Sequence, residues 1–168
     1  AKQRLHKLNS DINIKTYDVR LDSTNVLDIF KGYDVVVDGT DNFPTRYLIN
    51  DACVFLKIPN VHGSIYHFDG QVAVFNHDGG PCYRCLYPEP PPAELAPSCA
   101  EAGVIGAICG VIGSYQAVET LKVLLGFGDT LIRSPSTICT RSGVLDCGHD
   151  VRRRGKRNRT IGNHKAVE

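Results

Sequence analysis

Residues 34–46, DVVVDGTDNFPTR, constrain the fold more than any other part of this chain. The run Asp34-Val-Val-Val-Asp38 is short, unbroken and ends beside Gly39, as expected of a strand buried in a parallel sheet rather than half-solvated on an antiparallel one. Next, NFPTRYLINDACVFLK has Pro44 near its start, where a missing N–H costs little, and Leu48, Ala52 and Phe55 supply the buried face of a helix. Upstream, AKQRLHKLN reads as the end of a helix with Leu5 and Leu8 on one side, and INIKTYDVRL alternates like a strand. NVLDIFKGY returns to a helical pattern through Val26, Leu27 and Phe30, with Gly32 as its stop. Strand and helix alternate, so the expected class is α/β with a mostly parallel sheet and ligands at the strand C-termini.

The second half changes character. NVHGSIYHF and QVAVFN flank Asp69-Gly70, a hairpin turn signal. A Gly- and Pro-rich loop, HDGGPCYRCLYPEPPPAELAPSC, precedes GVIGAICGVIGSYQAVETLKVLLGFG, a long glycine-studded helix. Ser114, Gln116, Glu119 and Lys122 argue against a bilayer span, while the small residues suit close packing against a partner. Composition (42% hydrophobic, 22% charged) excludes disordered and fibrous classes, and 168 residues suit one domain. The net charge of +1 conceals a break after Thr130. Residues 1–130 carry 10 basic and 15 acidic side chains, whereas residues 131–168 carry 9 and 3. The expected organisation is a domain over 1–130 and a basic, disordered tail over 131–168. Methionine is absent even at position 1, which points to a processed chain or a fragment.

Chemistry can sit in three places. Asp38-Gly-Thr-Asp-Asn42 lies in the crevice at a strand end, where Asp41 can hold Mg²⁺ on a nucleotide and Asn42 can bond a phosphate or base. Helix capping is the stronger reading of that pattern alone. Arg46 is either a phosphate clamp or a solvated helix residue. Cys82 and Cys85 have the spacing of half a zinc knuckle. A redox pair is the rival, but that chemistry wants the motif to open a helix, and PEPPP follows here. Cys139, Cys147 and His149 can complete a zinc site only from an unpatterned segment. Cys99, ahead of the glycine-rich helix, suits a nucleophile; Cys53 and Cys109 read as small core residues. His62 and His67 beside the hairpin receive no role. Seven cysteines without a secretory context imply a reducing, cytoplasmic setting.

Five segments taken together, DVVVDGTDNFPTRYLINDAC, PNVHGSIYHFDGQVAVF, GPCYRCLYPEPPP, PSCAEAGV and GVIGSYQAVETLKVLLGFG, resemble the molybdopterin-synthase adenylyltransferase (MoeB/ThiF/HesA) family in order and register over about residues 1–130. The family is related to ubiquitin-activating enzymes. The resemblance implies the C-terminal part of a Rossmann-like ThiF-type fold. It implies ATP-dependent adenylylation of the C-terminal glycine of a ubiquitin-like sulfur carrier with a Gly-Gly end. ATP, Mg²⁺ and Zn²⁺ are the implied cofactors and a homodimer the implied assembly. Asp41, Asn42 and Arg46 fall on the MgATP site, Cys82 and Cys85 on the zinc site, and Cys99 on the cysteine that takes up the activated carrier or a persulfide. The proline loop and Cys99 favour the molybdenum-cofactor or tRNA-thiolation branch over the thiamine one.

The family's glycine-rich nucleotide loop is expected ahead of Ala1, so this chain alone is expected to bind ATP poorly. The family's second CxxC is missing after Gly128 and the basic tail stands in its place, as a frameshift or mispredicted exon near Leu131 would produce. A non-catalytic carrier-binding or dimerisation module is the alternative. Nucleic-acid binding through Arg152, Arg153, Arg154, Lys156, Arg157 and Arg159 ranks below a solvated charge run, and a dehydrogenase lacks its fingerprint.

Overall fold

The computed structural model describes residues 1–92 and 103–132 and the strand backbones at 136–139 and 144–147. Helices α1 (Lys2–Leu8) and α2 (Val26–Phe30) lead into β1 (Val36–Asp38), α3 (Phe43–Leu56) and β2 (Asn60–Tyr66). Then come β3 (Asp69–Phe75), the short α4 (Tyr83–Leu86), α5 (Gly106–Leu125), β4 (Ser136–Cys139) and β5 (Val144–Cys147). The strands form one sheet in the order β1-β2-β3-β4-β5. The α/β class expected from the sequence holds. The described sheet is mixed, however, with β1 parallel to β2 and every other neighbouring pair antiparallel. Residues 12–21 form no strand. Alternation alone does not make one, because a strand needs a neighbouring ladder to satisfy its backbone. Val37 of β1 is 51% exposed, so the described residues do not cover β1 on both faces.

Helix α3 begins as the sequence predicts: Asn42 is its N-cap, its side chain accepting from the Thr45 amide at 3.0 Å, with Pro44 in the first turn. Its buried face differs from the expected one. Phe55 is 77% exposed, and the inward residues are Arg46, Tyr47, Ile49, Asn50, Ala52 and Cys53. Polar residues hold the middle of that face because the backbone of neighbouring segments gives them partners. The Arg46 guanidinium donates to the Thr40 carbonyl, and the Asn50 side chain accepts from the Tyr83 amide. A count of apolar positions is blind to such partners.

The hairpin turns two residues earlier than its sequence signal. Tyr66 pairs with Asp69, so His67 and Phe68 form the two-residue turn, with His67 in the left-handed region at φ 52°. Gly70 is spent differently, inside β3, where a Cβ would run into the Ile112 side chain of α5. On β2, a Cβ at Gly63 would lie 2.6 Å from Gln116 Oε1. These two glycines let α5 settle on one sheet face, where Val72, Ile108 and Ile112 form a cluster. Tyr47, Ala73, Phe75 and Tyr83 form the cluster on the other face, under α3 and α4.

Helix α5 is long and apolar enough to cross a membrane by those two measures, but Ile108, Ile112, Gln116 and Glu119 are buried in the protein. Glu119 accepts from Lys122 at 2.6 Å and from the Leu131 amide at 2.8 Å. The Leu131 carbonyl in turn accepts from the Val74 amide at 2.9 Å, leading the chain to β4 beside β3. The boundary read after Thr130 therefore does not mark the end of the sheet; residues 148–168, with the arginine run, lie outside the described residues. Cys109, read above as a core residue, is exposed on the outer side of α5. Gly110 and Gly113 face open space. Replacing either by alanine is expected to raise the melting temperature, by a gain of up to about 1 kcal/mol in helix propensity. A lowered melting temperature would mean that this face is covered in solution.

Candidate functional site

The site grows from the C-terminal end of β1. Asp38 is 1% exposed and pairs in register with His62 of β2. Its carboxylate meets His62 Nδ1 at 3.0 Å through Oδ2, and through Oδ1 accepts from the Thr40 amide and hydroxyl at 2.9 and 2.7 Å. Burial works to raise the Asp38 pKa. The bond and favourable field of His62, joined by the Thr40 donors, outweigh it and hold the carboxyl below its usual range. A carboxylate only accepts, so the His62 nitrogen facing it is the donor. Gln116 of α5 reaches through the Gly63 notch and donates to the Asp38 and Val61 carbonyls at 2.8 and 3.0 Å.

Beyond Asp38 the chain turns through Gly39 and Thr40 and enters α3. Arg46 is buried rather than solvated, and its Nε and Nη2 donate to the Thr40 carbonyl at 3.1 and 3.0 Å. Its guanidinium stands 5.2 Å from the centre of the Phe43 ring. Asp41 is exposed; Asn42, which caps α3, also donates to Asp41 Oδ1 at 3.4 Å. Capping and ligand readings of this stretch thus fall on different residues: Asn42 caps, and the Asp41 carboxylate is left facing a cleft. An exposed carboxylate supplies one hard oxygen ligand for a divalent cation, while the helix N-terminus beside it favours an anion such as a phosphate.

That cleft has a volume of about 530 Å³. Asp41, Phe43, Arg46 and Tyr47 wall one end, and Tyr83, Tyr87, Glu89 and Pro91 close the side. Its floor is the face of the hairpin carrying Ser64, Tyr66, Asp69 and Gln71, which register brings side by side. Tyr83 lies at the centre of the aromatic wall, 5.2 Å from Tyr47, 5.1 Å from the His62 ring and 4.9 Å from Tyr87. Burial pushes its phenol up to about 12. The Tyr47 hydroxyl donates to the Tyr87 carbonyl at 3.0 Å, tying α3 to the segment after α4.

Cys82 and Cys85 stand with their sulfurs 3.6 Å apart. Two thiolates on one tetrahedral zinc ion, each at about 2.3 Å, are separated by about 3.8 Å, so this pair fits one edge of such a site. Cys82 is also the N-cap of α4, so the motif does open a short helix, and that sequence argument against redox chemistry does not hold. Arg84, between them, is clamped to Asp51 by two bonds of 2.8 and 2.7 Å. Among the described residues no group of three metal-ligating side chains occurs. Cys99 and His149 lie outside the described residues, as do the side chains of Cys139 and Cys147. Cys53 is a buried core thiol, pushed up to about 12 by burial and then by the Asp38 charge.

The structure brings Asp41 and Arg46 to one cleft, while Asn42 caps α3 and does not line it. Sequence reading left out Asp38, His62, Gln116 and the tyrosines. Asp38 was within reach, as the acidic end of a buried strand, but its partners arrive from 24 and 78 residues further along the chain.

The ThiF family model matches residues 1–145. A sulfur carrier protein adenylyltransferase of Thermus thermophilus is 57% identical over 136 residues, 78% of this chain and 50% of that protein. An adenylyltransferase and sulfurtransferase MOCS3 of Culex quinquefasciatus is 55% identical over 126 residues, 75% of this chain and 29% of that protein. MOCS3 of Drosophila yakuba is 46% identical over 157 residues, 94% of this chain and 34% of that protein, a match that runs past Thr130. The chain thus spans half the length of the bacterial relative and about a third of the insect ones. Among solved structures, E. coli MccB with ATP superimposes at a TM-score of 0.72 with 14% identity, over 89% of this chain and 46% of that one, a likeness of fold alone. With the family match covering β1 through the start of β5, the chain belongs to the ThiF family.

Proposed function

We propose that this chain serves ATP-dependent adenylylation of the C-terminal glycine of a ubiquitin-like sulfur-carrier protein. The observation that carries the reading is the cleft, which begins at Asp41 and Arg46, where β1 ends and α3 begins, and runs along the β2–β3 hairpin. The names of the Thermus and insect relatives support it. In the reaction the carrier's terminal carboxylate attacks the α-phosphate of ATP; the bond to the β-phosphate breaks, leaving an acyl-adenylate and pyrophosphate. Both reacting groups are anions, so the site must offset their repulsion.

Asp41 holds the Mg²⁺ that accompanies ATP, and that ion supplies charge neutralisation at the phosphates. Two of the five Arg46 N–H donors serve the Thr40 carbonyl, which fixes the guanidinium at the cleft end to face phosphate or carboxylate oxygen. The hairpin face of Ser64, Tyr66, Asp69 and Gln71 receives the carrier's extended tail, and the tyrosine wall excludes water from it. Cys82 and Cys85 hold one edge of a structural zinc ion, Cys99 accepts the activated carrier or a persulfide, and molybdenum-cofactor synthesis or tRNA thiolation in the cytoplasm is the setting. In this reading a second copy of the protein completes the assembly, and the frame of the basic segment after Thr130 is settled by sequencing the transcript across it.

Carrier-dependent ATP–pyrophosphate exchange by the full-length gene product tests the mechanism. Asp41→Asn is expected to lower exchange about a hundredfold, the usual scale for losing one charge-stabilising group. Full exchange in that variant overturns the role of Asp41. Carrier binding without exchange in the unaltered protein identifies a non-catalytic module instead.

A further inference from the structure

We propose that His62 is a positioning residue for Asp41, acting through Asp38 and the turn between them. Only the purpose of Asp41 rests on the nucleotide reading above; the coupling rests on geometry. Asp38 divides its carboxylate between two tasks. Oδ1 gathers the amide and hydroxyl of Thr40 at 2.9 and 2.7 Å, which folds the turn, and among the described residues Oδ2 meets only His62 Nδ1, at 3.0 Å. Both side chains are almost wholly buried. The imidazole is itself held from behind by the rings of Tyr83 and Phe75, at 5.1 and 5.8 Å, so that Nδ1 faces the carboxylate.

The remaining restraints on this stretch act on its main chain. Gln116 donates to the Asp38 carbonyl and Arg46 to the Thr40 carbonyl, and neither touches the Asp38 carboxylate. Without His62, Oδ2 is a buried anionic oxygen without a partner, which is costly in a low-dielectric setting. The carboxyl then takes a proton or swings towards water, and in either case it loosens from Thr40. Asp41 follows Thr40 directly, and among the described residues its side chain is met only by Asn42, at a long 3.4 Å, so the turn is the nearest firm restraint on its direction. His62 touches neither nucleotide nor carrier in this account.

The test compares the unaltered full chain with His62→Ala, His62→Asn and, for stability alone, Ile112→Ala from the core on the opposite sheet face. Asparagine places an N–H donor close to where Nδ1 stands. Amide hydrogen exchange is read at Thr40, whose N–H bonds Asp38, and at Val74, whose N–H bonds Leu131. His62→Ala is expected to lower Thr40 protection at least tenfold relative to Val74, His62→Asn to restore most of it, and Ile112→Ala to lower both amides together. Unchanged relative protection of Thr40 in His62→Ala, or no recovery in a folded His62→Asn, overturns the proposal. Titration with MnATP, read by the metal's relaxation of water protons, then reports the purpose: affinity should follow Thr40 protection across the series. Coupling seen by exchange while affinity does not change, or no MnATP binding by the unaltered full-length gene product, counts against the nucleotide role of Asp41 and leaves the coupling standing.

Discussion

Asp38→Ala is expected to destabilise the protein by about 3–5 kcal/mol, the scale for breaking a network of hydrogen bonds to a buried carboxylate. The carboxylate answers three donors, the His62 ring nitrogen and the Thr40 amide and hydroxyl, and alanine leaves all three without their acceptor. Chemical denaturation reads the loss as a lower midpoint with an unchanged slope. The same residue shapes the acid limb of stability. Its folded pKa is depressed, so its contribution is complete above the ordinary carboxylate range of about 4 and disappears as pH falls through the depressed value. The alanine variant should therefore lose less stability between neutral and acid pH than the parent. A variant within 1 kcal/mol of the parent, on the scale of an exposed substitution, would mean that water replaces the carboxylate at no great cost.

Gly63→Ala is expected to cost about 3–5 kcal/mol, although alanine adds a single methyl. That methyl would stand 2.6 and 2.7 Å from the Gln116 amide atoms, and Gln116 is not free to yield. It donates to the Asp38 and Val61 carbonyls at 2.8 and 3.0 Å, the link between α5 and both strands beneath it. Overpacking of about 1–3 kcal/mol adds to about 1 kcal/mol for each bond displaced. Gly63→Ala combined with Gln116→Ala should recover much of the steric part, so the double variant is expected to lose less than the sum of its parents. Strict additivity in that cycle would show that the glycine and the glutamine do not meet.

Much of the fold was readable in advance because it rests on local signals. The apolar run at Val36, the Asn42–Pro44 start of α3 and the uninterrupted helical stretch from Gly106 all became the elements they resemble. What could not be read depends on distant neighbours. The alternation of residues 12–21 did not become a strand without a ladder beside it. The Asp69-Gly70 signal misplaced the turn because Gly70 serves helix packing, a demand set by Ile112 far along the chain. At the candidate site, the placement of Asp41, Asn42 and Arg46 between β1 and α3 follows from one stretch after a strand, whereas the burial of Arg46 and the Asp38–His62 bond exist only once β1 and β2 are paired.

The β2–β3 hairpin divides its positions by parity. Apart from Ile65, which packs against the α5 cluster and also lines the cleft, Val61, Gly63, Gly70, Val72 and Val74 belong to the face that seats α5, while Ser64, Tyr66, Asp69 and Gln71 alternate with them and floor the cleft. Selection on what the cleft binds and selection on whether the sheet holds its helix therefore act on interleaved but separate residues. Such a ribbon can diversify its recognition at every second position while its packing positions stay unaltered, which makes it a natural place for related proteins to change partners without rebuilding the fold.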